Sequence, residues 1–145
     1  MTELLHEQLA SVGAPTFTAR DYRPGLVRHV VLFRYHQEVT FEQKQEVLQR
    51  FRSLAHSARS DGNTYIVSIE AGDQASGEGA GAGYEHGIIV TFASQGDRNY
   101  YVGAPLVDDP RYCDEAHAAF KDFVGPLLAA QGGALVFDVV SPGRG

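Results

Sequence analysis

The chain has no tryptophan, one cysteine and one methionine among its 145 residues. A lone Cys113 cannot close an internal disulfide, and no cysteine-based metal site can be built from it, which suits a reducing cytoplasm. No apolar run approaches the roughly 20 residues that a membrane-spanning helix needs. The opening MTELLHEQLASVG carries acids early and lacks an apolar centre, so it does not read as a secretory signal. An excess of basic charge is also missing. The formal net charge is −6, which argues against a general nucleic-acid binder. Arg50 and Arg52 lie among Glu42, Gln43 and Glu46 and read as a solvated helix face. Three histidines and Asp138 would in principle suit zinc. No HExxH or close histidine pair exists, however, so no metal is expected. Residues 72–83 (GDQASGEGAGAG) are rich in glycine, yet no GKS or GKT follows and no helix opens after them. They read as a long hairpin loop and not as a phosphate cradle.

What is present suits one globular domain, with 43% apolar residues. Residues 1–24 read as an N-terminal extension. Leu4, Leu5 and Leu9 allow one short amphipathic turn or two, and Gly13, Pro15 and Pro24 punctuate the chain. This arm is expected to be partly ordered and could pack on a partner subunit. The core domain is placed at 25–141 and a frayed tail at 142–145.

Residues 26–36 (LVRHVVLFRYH) are β-branched and aromatic and form the first clear strand. His29, Val31, Phe33 and Tyr35 share one face by the two-residue period, and Arg28, Val30, Leu32 and Arg34 share the other. Both faces are apolar in the middle, so the strand is predicted to be central and covered on both sides. Thr40 and Gln43 have capping-box spacing. Phe41, Val47, Leu48, Phe51, Leu54 and Ala55 then lay an apolar stripe along a helix that Ser60-Asp61-Gly62 should end. Residues 64–70 and 84–93 read as the second and third strands, with His86, Ile88 and Val90 on one face. A short helical or irregular segment spans 95–103. Asp109-Pro110 can open another helix. His117, Phe120, Val124 and Leu127 repeat on its face, and Gly125-Pro126 should kink or shorten it. Residues 134–140 make the fourth strand.

The order β-α-β-β-α-β predicts an α+β, ferredoxin-like domain: a four-stranded antiparallel sheet with helices on one face. The other sheet face is still apolar and needs a cover, which a face-to-face homodimer would supply. The segments VRHVVLFRY, YEHGIIVTF, NYYVGAP, EAHAAFKDFV and LVFDV resemble the Dabb (stress-responsive A/B barrel) family over residues 27–140. The most specific feature is Tyr101 ahead of Pro105, followed by His117 with Phe120 three residues on. The resemblance implies a dimeric α+β barrel. Some family members are stress-linked, and a plant polyketide cyclase among them closes a ring by aldol chemistry without a cofactor. Its catalytic tyrosine and histidine match Tyr101 and His117, and a cavity-wall histidine matches His29. Residues 106–116 (LVDDPRYCDEA) depart from it as an insertion between Pro105 and His117.

Strand parity places His29 and His86 on one sheet face, and the helical stripe turns His117 toward them. A pocket between sheet and helices would then be walled by Val31, Phe33, Ile88, Phe120 and Val136, apolar with few polar groups, as small-molecule sites are. Antiparallel pairing of strands one and four, with Val27 near Val140, would put Asp138 opposite His29, where a carboxylate fixes the imidazole tautomer and favours the protonated ring. Three functions fit these residues. One is a dimeric protein that binds a small apolar or aromatic molecule. Another is an enzyme in which His117 takes a proton beside a carbonyl while Tyr101 donates a hydrogen bond to its oxygen. The last is a structural assembly protein. Convergence of Tyr101 and His117 in an open pocket would favour the enzyme. No nucleic-acid or membrane partner is expected.

Overall fold

The computed structural model describes residues 2–141, so the tail expected at 142–145 lies outside the described residues. The elements run α1 (Thr2–Val12), α2 (Ala14–Phe17), β1 (Pro24–Phe33), α3 (Phe41–Ser53), β2 (Ile66–Asp73), β3 (His86–Ser94), α4 (Gln95–Val102), α5 (Glu115–Val124) and β4 (Ala134–Val140). The strands form one antiparallel sheet in the order β2-β3-β1-β4. This is the ferredoxin-like arrangement that the periodicity predicts, with helices on one face.

Register decides which side chains meet the helices. β1 pairs with β4 so that Val27 faces Val140, His29 faces Asp138 and Val31 faces Val136. On its other side His29 faces Val90, Val31 faces Ile88 and Phe33 faces His86. Val31, Phe33, Ile88, Val90 and Phe92 are buried against Val47, Leu48 and Phe51 of α3 and Phe120 and Val124 of α5. Each such side chain contributes about 1.5–3 kcal/mol of hydrophobic stabilisation. The expectation that β1 is covered on both sides is not met within one chain, since Val30 and Leu32 on its second face stay half-exposed.

Local chemistry explains the element ends. The Thr40 and Gln43 side chains each accept from the other's backbone N–H, at 3.2 and 2.8 Å, and this capping box starts α3. α3 gives way to a 3-10 turn at Leu54–His56, earlier than the sequence suggests. Gly62 (φ 82°) instead shapes the turn between the bridged residues Ala58 and Thr64. Ser94 caps α4, its hydroxyl accepting from Asp97 N at 3.0 Å, which makes 95–102 a true helix. Asp109-Pro110 opens only a 3-10 turn at Pro110–Tyr112, and Asp114 is the residue that starts α5.

The N-terminal arm also differs from expectation. It is helical, and its second half is built into this chain's own domain. Phe17 and Thr18 are fully buried. Asn99 Nδ2 donates to Phe17 O at 2.9 Å, and Arg59 donates to Thr18 O at 2.6 Å. Gly96 packs so close to the arm that a Cβ there would sit 1.7 Å from Ala19 O. Sequence periodicity could not show this, because the segment's anchor is one phenylalanine and its backbone carbonyls. Phe17→Ala should therefore destabilise the protein by about 3–5 kcal/mol in urea unfolding, whereas Leu4→Ala on the exposed side of α1 should change it by less than about 0.5 kcal/mol. Equal small effects would show that the arm is an appendage.

Candidate functional site

Between the sheet and α4–α5 lies a cavity of about 340 Å3. Val31, Phe33, Phe51, Phe120, Val124 and Val136 supply an apolar wall, and His29, Tyr101, His117 and Lys121 are polar residues that also line it. Each polar residue arrives by a different route. His29 comes from the central strand, on the parity that buries its neighbours Val31 and Phe33. Tyr101 lies near the end of α4 and is buried to 1% exposure. His117 sits in the first turn of α5. Asp114 Oδ1 caps that turn, accepting from Ala116 N at 2.9 Å and from His117 N at 3.3 Å. Asp114 is itself held by Tyr65, whose hydroxyl donates to Oδ2 at 2.5 Å. The 106–116 insertion thus carries the cap that aims His117, and it does not part the two residues.

The Tyr101 and His117 rings stack in parallel, 3.7 Å between centroids and 14° between planes. His29 meets Tyr101 edge-on at 5.5 Å. His117 Nδ1 is 2.5 Å from the Tyr101 carbonyl oxygen. A carbonyl only accepts, so Nδ1 carries the proton and Nε2 is left as a lone pair. By the same argument His29 Nδ1 donates to Asp138 Oδ1 at 2.6 Å. Neither Nε2 has a hydrogen-bond partner among the described residues, and both rings line the cavity. The Tyr101 hydroxyl is buried and also without a partner.

Protonation follows from burial. Desolvation pushes the His117 imidazole down to about 4, against the smaller opposing pull of its bond to the Tyr101 carbonyl, so it is neutral at pH 7. Desolvation, helped by the Asp114 carboxylate, raises the Tyr101 phenol well above its ordinary value and keeps its proton in place. Burial alone would raise Asp138. Hydrogen bonds from His29 and Arg98, with the Arg98 charge, outweigh it and hold the carboxyl below its usual value. The site therefore combines a neutral imidazole with a protonated phenol.

His86 and Ile88 do not line this cavity, although they share the face of His29. They stand level with Phe33 and Val31 but on β3, on the far side of β1 from β4, and the cavity opens over β1 and β4. His86 Nδ1 is 2.9 Å from the Tyr35 hydroxyl, and its Nε2 is 3.0 Å from Asp73. Both of its nitrogens are therefore engaged, and Ile88 is core. No group of three or more His, Cys, Asp or Glu among the described residues is placed to hold a metal ion. Lys121 is a cavity residue that sequence reading passes over. Its ammonium donates to Val102 O at 2.8 Å and Ala104 O at 3.2 Å. Its spacing of four from His117 on one helix is the signal that could have found it.

Comparison with known proteins agrees with this architecture. The family model described as Stress responsive A/B Barrel Domain (Dabb) matches residues 27–141. The chain belongs to the Dabb family. A hydroxynitrile lyase from Passiflora edulis is similar to it in structure, with 18% identity, a TM-score of 0.60, and 83% of this chain and 97% of that one covered. An Arabidopsis thaliana protein is similar at 23% identity and TM-score 0.59, over 82% and 98% of the two chains. A Thermobifida fusca protein of unknown function, described as dimeric and ferredoxin-like, is similar at 20% identity and TM-score 0.57, over 83% and 96%. At these identities the likeness is one of fold. A search of curated protein sequences gives no match. In this Dabb protein the segment before residue 27, which includes the buried Phe17, lies outside the family match.

The lowered His117 value makes a stability prediction. Below pH 6.5 the unfolded chain takes up a proton that the folded chain refuses until about pH 4, so folding weakens as pH falls through that window. Between pH 7 and 4.5 this one residue should remove about 2–3 kcal/mol. His117→Phe should lose that much less stability over the same range in urea titrations. Parallel pH profiles for the two proteins would show that His117 is not buried neutral.

Proposed function

We propose that this Dabb protein binds a small apolar or aromatic carbonyl compound in the cavity and moves a proton on it by side-chain acid–base chemistry. The observation that carries the reading is the unpartnered Tyr101 hydroxyl beside a histidine whose Nδ1 is already tied. An unmatched buried hydroxyl is destabilising by about 1–3 kcal/mol, and a ligand oxygen would satisfy it. In this reading His117 Nε2 takes a proton from the carbon next to a carbonyl, or from its enol. The electron pair left behind spreads to oxygen, which accepts the Tyr101 O–H. Such assistance is typically worth about 10²–10⁴-fold. That a lyase from Passiflora edulis shares the fold supports this by analogy only. Binding without turnover is the nearest other reading, and the same cavity would serve it.

The reading includes a homodimer through the open sheet face. Leu135, Phe137 and Val139 of β4 project from that face with Val30 and Leu32, and Phe137 is 61% exposed. Apolar surface of this kind marks association, and structural relatives are described as dimeric.

Benzoylacetone, an aromatic β-diketone, is a suitable probe. Wild-type protein should bind it and shift its absorbance from the enol toward the enolate band. His117→Ala should abolish the shift. Tyr101→Phe should lower it at least tenfold while folding as stably as wild type or better, because the orphan hydroxyl is gone. Binding with no enolate band in any variant would leave a binding protein, and no binding would remove the site.

Light scattering at micromolar concentration should return about twice the 15.8 kDa chain mass, and Phe137→Glu should return the monomer. A monomeric wild type would refute the sheet-face dimer.

A further inference from the structure

A line of buried polar groups runs from the N-terminal arm to the cavity. Phe17 O accepts from Asn99 Nδ2 at 2.9 Å, and Asn99 Oδ1 accepts from Arg98 Nε at 2.8 Å. Arg98 Nη1 donates to Asp138 Oδ2 at 3.0 Å, and Asp138 Oδ1 accepts from His29 Nδ1 at 2.6 Å. Arg98, Asn99 and His29 are all buried. A buried guanidinium needs a partner that keeps its charge, and the Asp138 carboxylate serves it with one oxygen and His29 with the other.

We propose that Asp138 is a positioning residue. Braced by Arg98 and, through Asn99, by the arm, it locks His29 in the Nδ1–H tautomer and presents the Nε2 lone pair to the cavity. This rests on the acid–base reading of the cavity for its purpose, but not for its test. Two imidazole acceptors, His29 Nε2 and His117 Nε2, then flank the Tyr101 ring among the cavity's lining residues. Two strands, α4 and the arm must all be in place before His29 is set. The arm, outside the family match, thereby becomes part of the site's support.

The amide of an asparagine gives a sharp test, because Arg98 can only donate. In Asp138→Asn, Arg98 claims the amide oxygen, and the NH2 is left facing His29. His29 Nδ1 must then accept, and the proton moves to Nε2. In the double variant Asp138→Asn, Arg98→Met the amide is free to turn, its oxygen accepts from His29 again, and the Nδ1–H tautomer returns.

Long-range 1H–15N spectra of the ligand-free full chain at pH 9 read the tautomer directly. The expected series for His29 is Nδ1–H in wild type, Nε2–H in the single variant and Nδ1–H in the double variant. A merely structural aspartate would not produce that reversal. An Nε2–H tautomer in wild type overturns the proposal even where a variant fails to fold, and so does an unchanged Nδ1–H tautomer in Asp138→Asn. Because no ligand is present, failure of the benzoylacetone experiment would remove the acid–base reading and leave this result standing.

Discussion

The pairing of β1 with β4 is the constraint on which the rest of the site depends. Val27 opposite Val140 fixes His29 opposite Asp138, and the two-residue period then sends both side chains to the helix side of the sheet. A slip of one residue would turn His29 to the open face and bring Arg28 inward. The slip is opposed from both sides. It would expose Val31 and Phe33, and it would leave the buried Arg98 guanidinium without its carboxylate. Hydrophobic burial and ion pairing thus select the same register, which is the consistency across levels that a unique fold requires.

Strand parity, the capping box at Thr40 and the helical stripe through His117 were legible from the sequence because each is a local pattern. They carry the sheet, the α3 start and the inward aim of His29 and His117. The His29–Asp138 register could be read too, since the topology leaves little freedom between two neighbouring strands of similar length. Position across the sheet was harder. His86 has the right parity and stands level with Phe33, yet it lies on β3, on the far side of β1 from β4, while the cavity opens over β1 and β4. Parity assigns a face and says nothing about which strands the cavity spans. Arg98 and Asn99 carry no sequence signal at all. Their roles come from contacts to Asp138 and Phe17, far away in the chain, and a short polar helix gives no periodicity that points to them. The docking of the arm onto its own domain lacks a signal for the same reason, since one buried phenylalanine and a few carbonyls do not make a pattern.

β4 shows how a single chain can leave its architecture unfinished. It is an edge strand with apolar residues on both faces, and Val136 on the helix side remains 56% exposed while lining the cavity. Edge strands with such exposure are normally covered or made polar. Here only Asp138 interrupts the apolar run, and it points inward to a charge partner. The one polar side chain of β4 is therefore committed to the site, and nothing on the strand guards its open face. This is the pattern expected of a strand whose outer surface belongs to an interface.

The polar groups of the cavity explain each other when taken together. A histidine in an apolar layer is stable if its nitrogens are satisfied. His86 meets that condition fully, whereas His29 and His117 meet it at Nδ1 alone. Both have the proton placed by an acceptor that cannot itself donate, a carboxylate for one and a backbone carbonyl for the other. Tyr101 joins them: its carbonyl holds His117, its ring stacks on that imidazole, and its hydroxyl is left over. A core selected only for stability would exchange the orphan hydroxyl for hydrogen. The burial that makes it unfavourable also keeps the phenol protonated and the His117 imidazole neutral at pH 7, so the two neutral groups stand side by side. In water they would compete for solvent and lose their mutual orientation. Packing Tyr101 against both histidines costs folding stability at that hydroxyl, and the proposed ligand would offset the cost by accepting its hydrogen bond.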